Sequence, residues 1–531
     1  MRPTRRQMIL GALGAAAIPM LRPGSSRPAR AAGTPPTKLL AIWLDGGVNW
    51  EHIFTPLSSA GIAQHILPPE GGNHPFGYSA EMVKNFDGSD PDLDAPTRKL
   101  RGPIGWNPAD PADTSGSNAL SGGSQIYRPW GYSWANPAYA IYDRACLLVG
   151  ADQGTASHAS GIVASMCGVA GSTFRAPSVQ AVVAHHLASQ FPDRPIPNAV
   201  LGGTRPSAAG LPALANPYSL TSLALVESTI SDRRDGAWNG LRTRLDTEVT
   251  DFDGELLEET WPLTTTDRGL IPALRSLGGT STSGTDQLLR QAYDTYGGLS
   301  RTIASDVLGK LEGTVGFEHI TQDPLYSDPA FSTACIGYAD TCGPLGSCGP
   351  YDFALRLLKS DLVTSLTLRA TSIANFSFDV HFSGGARAQT SHLRIALEAI
   401  GQLLIEMSLT PASSGAGSLL DETLVYIYSD FGRTFARSPE DGTDHHPATC
   451  ALLVGGNVVG NQMLGGYDES MSGSPLGAPV AIVEESGETT TRPPTSQDIA
   501  ATVIRSFGLV PGDDFFIPGG YGEYAGALEA T

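Results

Sequence analysis

The stretch Thr423 to His446, TLVYIYSDFGRTFARSPEDGTDHH, ends an apolar run on a carboxylate and follows it with an arginine and two histidines. A carboxylate buried without a cation is costly, so Asp430 is expected to have a partner: Arg433, a helix N-terminus or a divalent ion. Asp444, His445 and His446 arrive fourteen residues after Asp430 in a tight polar loop, GTDHHP, which suits ligands held on a rigid turn. One of the two histidines is expected to belong simply to a solvated loop. Carboxylate and imidazole together point to a metal centre or a hydrolytic site.

Three further groupings share this chemistry. In NFSFDVH, Asp379 and His381 stand two residues apart, a spacing that puts both side chains on one face of an extended segment. They read either as metal ligands, as an acid and imidazole pair, or as a surface polar pair. Asp45 and Asn49 follow a first apolar segment in DGGVNWEH, where the glycines serve a tight turn or let backbone approach a ligand. Ser157 and His158, with Thr155 nearby, fall between a strand and a helix. A hydroxyl there gains nucleophilicity from the helix dipole and free amides, and the competing reading is a Ser N-cap beside a packed histidine. No GxSxG is present, so a hydrolase of the nucleophile-elbow type is not supported. His185 and His186 are consecutive on a helix, about 100° apart, and are read as structural, as is His392.

The elements that must position these residues follow from hydrophobic patterning. Lys38 to Leu44, Ala145 to Ala151, Val363 to Ala370, Thr423 to Asp430 and Cys450 to Val454 read as buried strands. Helices are expected from about Ser160 to Cys167, Pro177 to Phe191, Tyr351 to Lys359, Ala388 to Met407 and Asp498 to Phe507. Strand, polar turn, helix is the unit of a parallel sheet, and ligands of such sheets collect at the C-terminal strand ends. The expected fold is therefore α/β, a mostly parallel central sheet flanked by helices. Two insertions interrupt it: a loop-rich one at about 60–140, and a mainly helical one at 211–350 with its clearest helix from Thr285 to Leu311.

The first 31 residues carry a twin arginine, Arg5 and Arg6, ahead of a short apolar region and a small-x-small cleavage signal, Ala29 to Ala31. This predicts a twin-arginine signal peptide, a periplasmic or secreted protein of residues 32–531, and no membrane span in the mature chain. Six of the 34 basic residues lie in that segment and no acids do, leaving 28 against 53 acids and a formal net of −25. Nucleic acid is thereby an unsuitable partner. Cys335, Cys342 and Cys348 cluster in a Gly/Pro-containing loop and favour a local disulfide outside the cytoplasm, with a zinc knuckle as the competing reading. Cys146 and Cys450 read as buried core thiols.

Taken in order, the twin-arginine start, the Gly-Gly turn after the first strand and Ser157-His158 before a helix are followed by FDVH at 378–381, SDFGR at 429–433, GTDHH at 442–446 and LLVGGNVVGNQMLGGY at 452–467. Together they resemble an uncharacterised family of exported bacterial proteins grouped with the alkaline phosphatase and sulfatase superfamily. The resemblance is best from about 375 to 510. It implies one or two divalent metals held by Asp45 or Asn49, Asp379 with His381, Asp430, and His445 or His446, with a nucleophile near Ser157 or Thr155. Superfamily enzymes commonly have Asp-His-Gly where this chain has Asp430-Phe431-Gly432, and the Asp379 to His381 spacing is shorter than usual. These departures imply a single metal or none.

The expectation is a metal-dependent hydrolase of phosphate or sulfate esters: Asp379, His381, Asp430 and His445 hold zinc, calcium or magnesium, Arg433 neutralises a small anionic ester, Ser157 attacks and His158 assists. The alternative is an exported binding or surface-assembly protein that keeps the fold without the chemistry and meets another exported protein.

Overall fold

The computed structural model describes residues 34–66, 80–102, 141–220, 310–319 and 349–529, with internal breaks of which the longest are 371–377, 436–441 and 512–520. The expected signal peptide, most of both insertions, nearly all of the helix over Thr285 to Leu311 and the loop with Cys335, Cys342 and Cys348 lie outside the described residues.

An eight-stranded sheet forms the centre. Its strands are β1 (Lys38–Leu44), β2 (Ala145–Asp152), β3 (Ile196–Leu201), β4 (Tyr218–Ser219), β5 (Val363–Ala370), β6 (Thr423–Ser429), β7 (Ala448–Gly455) and β8 (Gln462–Gly465), in the spatial order 8-2-7-6-1-5-3-4. All neighbours pair in parallel except β7, which runs against both β2 and β6. The strands read as continuous apolar runs because both faces are covered. Leu39, Ala41 and Trp43 of β1 enter one core while Leu40, Ile42 and Leu44 enter the other.

Helices α1 (His158–Cys167), α2 (Val179–Gln190) and α5 (Ser496–Ser506) supply Ile162, Val182 and Ile499 to the first of these cores. On the other face, α3 (Gly349–Lys359) and α4 (Gly385–Leu409) supply Leu355 and Leu397. Gly168 closes α1 in the left-handed region at φ 77°. A small antiparallel sheet of β9 (Val480–Glu484), β10 (Thr489–Arg492) and β11 (Gly522–Tyr524) stands apart from the main one. Among the described residues no helix is long and apolar enough to cross a membrane, and Cys146, Cys167 and Cys450 are buried free thiols.

Two departures from the patterning have physical reasons. β3 contains Pro197, which lacks an amide donor and argues against an inner strand, yet β3 pairs on both sides and the Pro197 carbonyl accepts from Thr364 Oγ1 at 2.5 Å. Helix α1 begins at His158, two residues earlier than expected, so His158 occupies its first turn directly after the N-cap Ser157.

At the start of β1, Lys38 is fully buried and pairs with Glu422 and, at 2.9 Å, with Asp361. Arg194 shares Asp361 at 2.9 Å. Removing one member of a buried ionic group strands its partners without solvent. Lys38→Met is therefore expected to destabilise the protein by about 3–5 kcal/mol, read as a lowered denaturation midpoint in a urea titration, while Glu422→Gln is expected to cost less because Asp361 still neutralises the ammonium.

Candidate functional site

Strand register decides which residues meet at the site. Leu44 of β1 pairs with Ser429 of β6, so the next residues, Asp45 and Asp430, leave the sheet side by side. The reversed β7 begins opposite the end of β2, Ala448 against Asp152, and Gln153 N donates to Pro447 O at 3.1 Å. His445 and His446, just ahead of β7, are thereby carried to the same edge as the loop leading into α1. The segment 378–381 is tied in by Phe378 N donating to Asp45 O at 2.7 Å and Thr443 N donating to Val380 O at 3.1 Å. A two-residue ribbon pairs Arg433 with His445 and Gly432 with His446.

These ties bring His158, Asp379, His381 and His445 together, one donor atom of each lying within 4.8 Å of all the others. Asp379 stands among the imidazoles: Oδ2 is 3.3 Å from His158 Nε2, and Oδ1 is 3.1 Å from His381 Nε2 and 3.5 Å from His445 Nε2. The edge of a tetrahedron with zinc–nitrogen bonds of ~2.0 Å is about 3.3 Å, a spacing these distances bracket.

The partners of the other ring nitrogens assign each tautomer. His158 Nδ1 donates to Asp430 Oδ2 at 2.7 Å, His445 Nδ1 to the Ala156 carbonyl at 2.6 Å, and His381 Nδ1 to Asp444 Oδ1 at 3.1 Å. Every histidine therefore turns an Nε2 lone pair toward the centre, the arrangement in which an acceptor behind each ring orients a metal ligand. His381 Nε2 and His445 Nε2 are only 2.7 Å apart. Two lone pairs at that separation demand a proton or a cation between them. The donor set, three imidazoles and one carboxylate, fits a divalent ion such as zinc and is too nitrogen-rich for calcium or magnesium.

Electrostatics sharpen the roles. Burial by itself would raise the Asp379 carboxyl, but the Arg433 hydrogen bond at 2.5 Å, its charge, and His158 and His381 together hold it below the usual range. For His445, burial and the Arg433 charge push the imidazole below its ordinary value, with the Ala156 carbonyl opposing. The hydrogen bond to Asp430 raises His158, with burial opposing.

Several expected site residues stand elsewhere in the design. Asp430 is not a ligand of this cluster: its Oδ1 accepts from Trp43 Nε1 at 2.6 Å and its Oδ2 from His158 and from Gly46 N at 3.2 Å, so it orients His158. Arg433 has a fully buried side chain and donates to the carbonyls of Gly46, Gly47 and Thr443 as well as to Asp379. Four of its five N–H groups are used in this way and it does not line the adjacent cavity, so the structure sets it behind Asp379 rather than at the place expected for an anionic substrate. Asp45 pairs with Arg369, and burial leaves its carboxyl above the ordinary value despite that arginine. Asn49 is buried, its backbone N–H donating to Gln389 Oε1 at 3.1 Å and its side-chain Oδ1 accepting from Thr443 Oγ1 at 3.3 Å. His446 turns Nδ1 to Ala448 N at 3.2 Å, outside the ligand group. Ser157 is exposed and its hydroxyl caps nothing. His185 and His186 lie on α2 apart from the cluster, and the side chain of His392 lies outside the described residues.

Phe431, where the resemblance leads one to look for a histidine, is fully buried, its ring centroid 4.1 Å from that of His445 and 4.7 Å from that of His158. It is the floor on which those two rings rest. Gly47 makes room for it: at φ +81° a Cβ would run into the Phe431 ring and sit 3.1 Å from Arg433 Nε. Sequence reasoning missed Trp43, which alternates inward like any core aromatic, and the place of His158 in the potential metal-binding cluster, since its neighbour Ser157 drew the chemical reading.

A cavity of about 360 Å³ opens against the cluster, lined by Trp43, Asp45, His158, Ala159, Ile162, Asp379 and Asp430. No curated protein matches the chain. Residues 353–521, a segment that holds Asp379, His381, Asp430 and His445 but not His158, match the model of a family described as a protein of unknown function, DUF1501.

Proposed function

We propose that the chain is an exported metal-dependent hydrolase of phosphate or sulfate esters, related to the alkaline phosphatase and sulfatase superfamily and working with a single divalent ion. The observation that carries this reading is the convergence of three imidazole Nε2 atoms on the Asp379 carboxylate, each ring oriented from behind by an acceptor. The mostly parallel sheet with the cluster at its C-terminal strand ends agrees with it. When bound, the ion polarises the ester oxygen as a Lewis acid.

The residues of the chain do the remaining work. Arg433 keeps Asp379 ionised and fixed, and Asp430 holds the His158 ring in one tautomer. The cavity admits a group of a few heavy atoms between the apolar wall of Trp43, Ala159 and Ile162 and the acidic wall of Asp45, Asp379 and Asp430. Because that wall is acidic, an anion is repelled until a cation is in place. Ser157, exposed and absent from the cavity lining, is a weaker nucleophile candidate than water entering the cavity.

Phe431 favours a second reading, an exported binding or surface-assembly protein without catalysis. It stands where the superfamily that the sequence resembles commonly has a histidine, and four protein donors would already satisfy one tetrahedral ion. Release of the phenol from aryl phosphates or aryl sulfates by the metal-loaded protein separates the two, and its complete absence favours the second.

The purified protein is expected to hold one divalent ion per chain at this cluster, and Asp379→Asn or His445→Ala to lower that stoichiometry well below one by metal analysis. Asp430→Asn, which removes only the support behind His158, is expected to weaken metal binding by roughly 10–100-fold in a competition titration with a chelating dye. Stripping the metal is expected to abolish binding of inorganic phosphate along with turnover, measured by calorimetry; phosphate binding unchanged in the stripped protein would count against the role of the ion in holding the anion.

A further inference from the structure

We infer that His158 is the exchangeable ligand of the cluster: it closes the shell of the resting protein and swings off to let a small anionic ester reach the centre from the cavity. The inference rests on the metal-dependent reading above and adds which protein group must give way.

Four protein donors complete a tetrahedral shell, whereas a catalytic site needs a position open to substrate or water. One of the four must therefore be replaceable, and the structure distinguishes among them. Of the four, His158 and Asp379 line the cavity, so a ligand arriving from it meets these two before His381 and His445. Asp379 is held by the buried Arg433 guanidinium, and moving it would leave a cation facing only backbone carbonyls. Departure of Asp379 would thus incur the penalty of an uncompensated buried charge.

His158 is under no such restraint. Its supporting carboxylate, Asp430, is fixed independently by Trp43 Nε1 and Gly46 N, so it stays in place while the imidazole pivots on its Nδ1–H hydrogen bond. The ring sits in the first turn of α1 behind Ser157, whose hydroxyl makes no capping bond, and behind Gly154, around whose α-carbon a side chain would find open space. The half-exposed His158 side chain lines the cavity, and the His445 ring, which does not, meets it edge-on and rests with it on Phe431. Released from the centre, His158 keeps its Nδ1–H on Asp430 and turns a free Nε2 lone pair to the cavity, where it takes the proton of the attacking water. The O–H bond of that water breaks as the proton passes to Nε2, its oxygen forms the new bond to phosphorus or sulfur, and the ester oxygen leaves with its bonding pair.

Cobalt(II) alone, added to the metal-free full chain, reads the coordination number directly through its visible absorption. Wild type is expected to bind one equivalent at this cluster with the intense band of a four-coordinate ion. His158→Ala is expected to keep that stoichiometry with affinity reduced by no more than roughly 10–100-fold, to show a weaker band as water enters, and to regain the wild-type band on addition of imidazole. His445→Ala, in contrast, is expected to lose stoichiometric cobalt. His158→Gln, which preserves volume, is read in place of the alanine variant should the latter fail to give the wild-type circular dichroism spectrum. Loss of cobalt from the His158 variants as complete as from His445→Ala, an unchanged band, or failure of imidazole to restore it overturns the exchange while leaving the metal centre standing. A wild-type protein that binds no cobalt at all overturns the metal-dependent reading itself.

Discussion

One buried guanidinium holds the site together. Arg433 reaches from the loop after β6 to the carbonyls of Gly46 and Gly47 after β1, to Thr443 in the turn before β7, and to the carboxylate of Asp379. Three chain segments far apart in sequence are thus fixed by one planar group whose donors match several acceptors at once. A lysine in the same place has a point charge and a flexible stem, and it could not span the same acceptors. The cation also acts on the charge state of its neighbours, favouring the ionised form of Asp379 and the neutral form of His445, the states that metal ligation would require.

Around this anchor the site is layered. His158 is held by Asp430, which in turn accepts from the indole of Trp43 and the amide of Gly46, and His158, Asp430 and Trp43 line the cavity together with Asp379. Phe431 lies beneath His158 and His445, and its burial explains why the turn after β1 requires glycine at position 47. The same phenyl ring that departs from the superfamily pattern is therefore tied to the backbone conformation of a different loop. Replacing it with a histidine would place a polar ring where Gly47 and the two imidazoles now provide an apolar contact.

Much of this was legible in the sequence. Asp379, His381 and His445 stood out because polar, metal-competent side chains follow apolar segments at the end of which open α/β sheets place their ligands, and the structure brings all three into one cluster. Asp430 was legible as a site residue, but its role was not, since that depends on Trp43, which reads as one more core aromatic in LAIWL. Arg433 looked available for a substrate because sequence does not reveal that three carbonyls turn inward to meet it. His158 was overshadowed by Ser157, and only the early start of α1 and the pairing of Ala448 with Asp152 put its ring beside His445. The strand order, too, rested on long-range pairings that local patterning does not encode, and Pro197 concealed β3.

The reversal of β7 has a consequence for when the donor cluster can assemble. Because β7 runs against its neighbours, His445 reaches the centre only once that strand has docked between β2 and β6, and its support, the Ala156 carbonyl, lies 289 positions away along the chain. Contacts so distant in sequence form late and slowly. Unlike a zinc finger, in which the metal organises a short segment, this arrangement would give an ion no local nucleus to stabilise. A metal bound at the cluster would report that folding has finished, because a misregistered or half-assembled sheet lacks the donors.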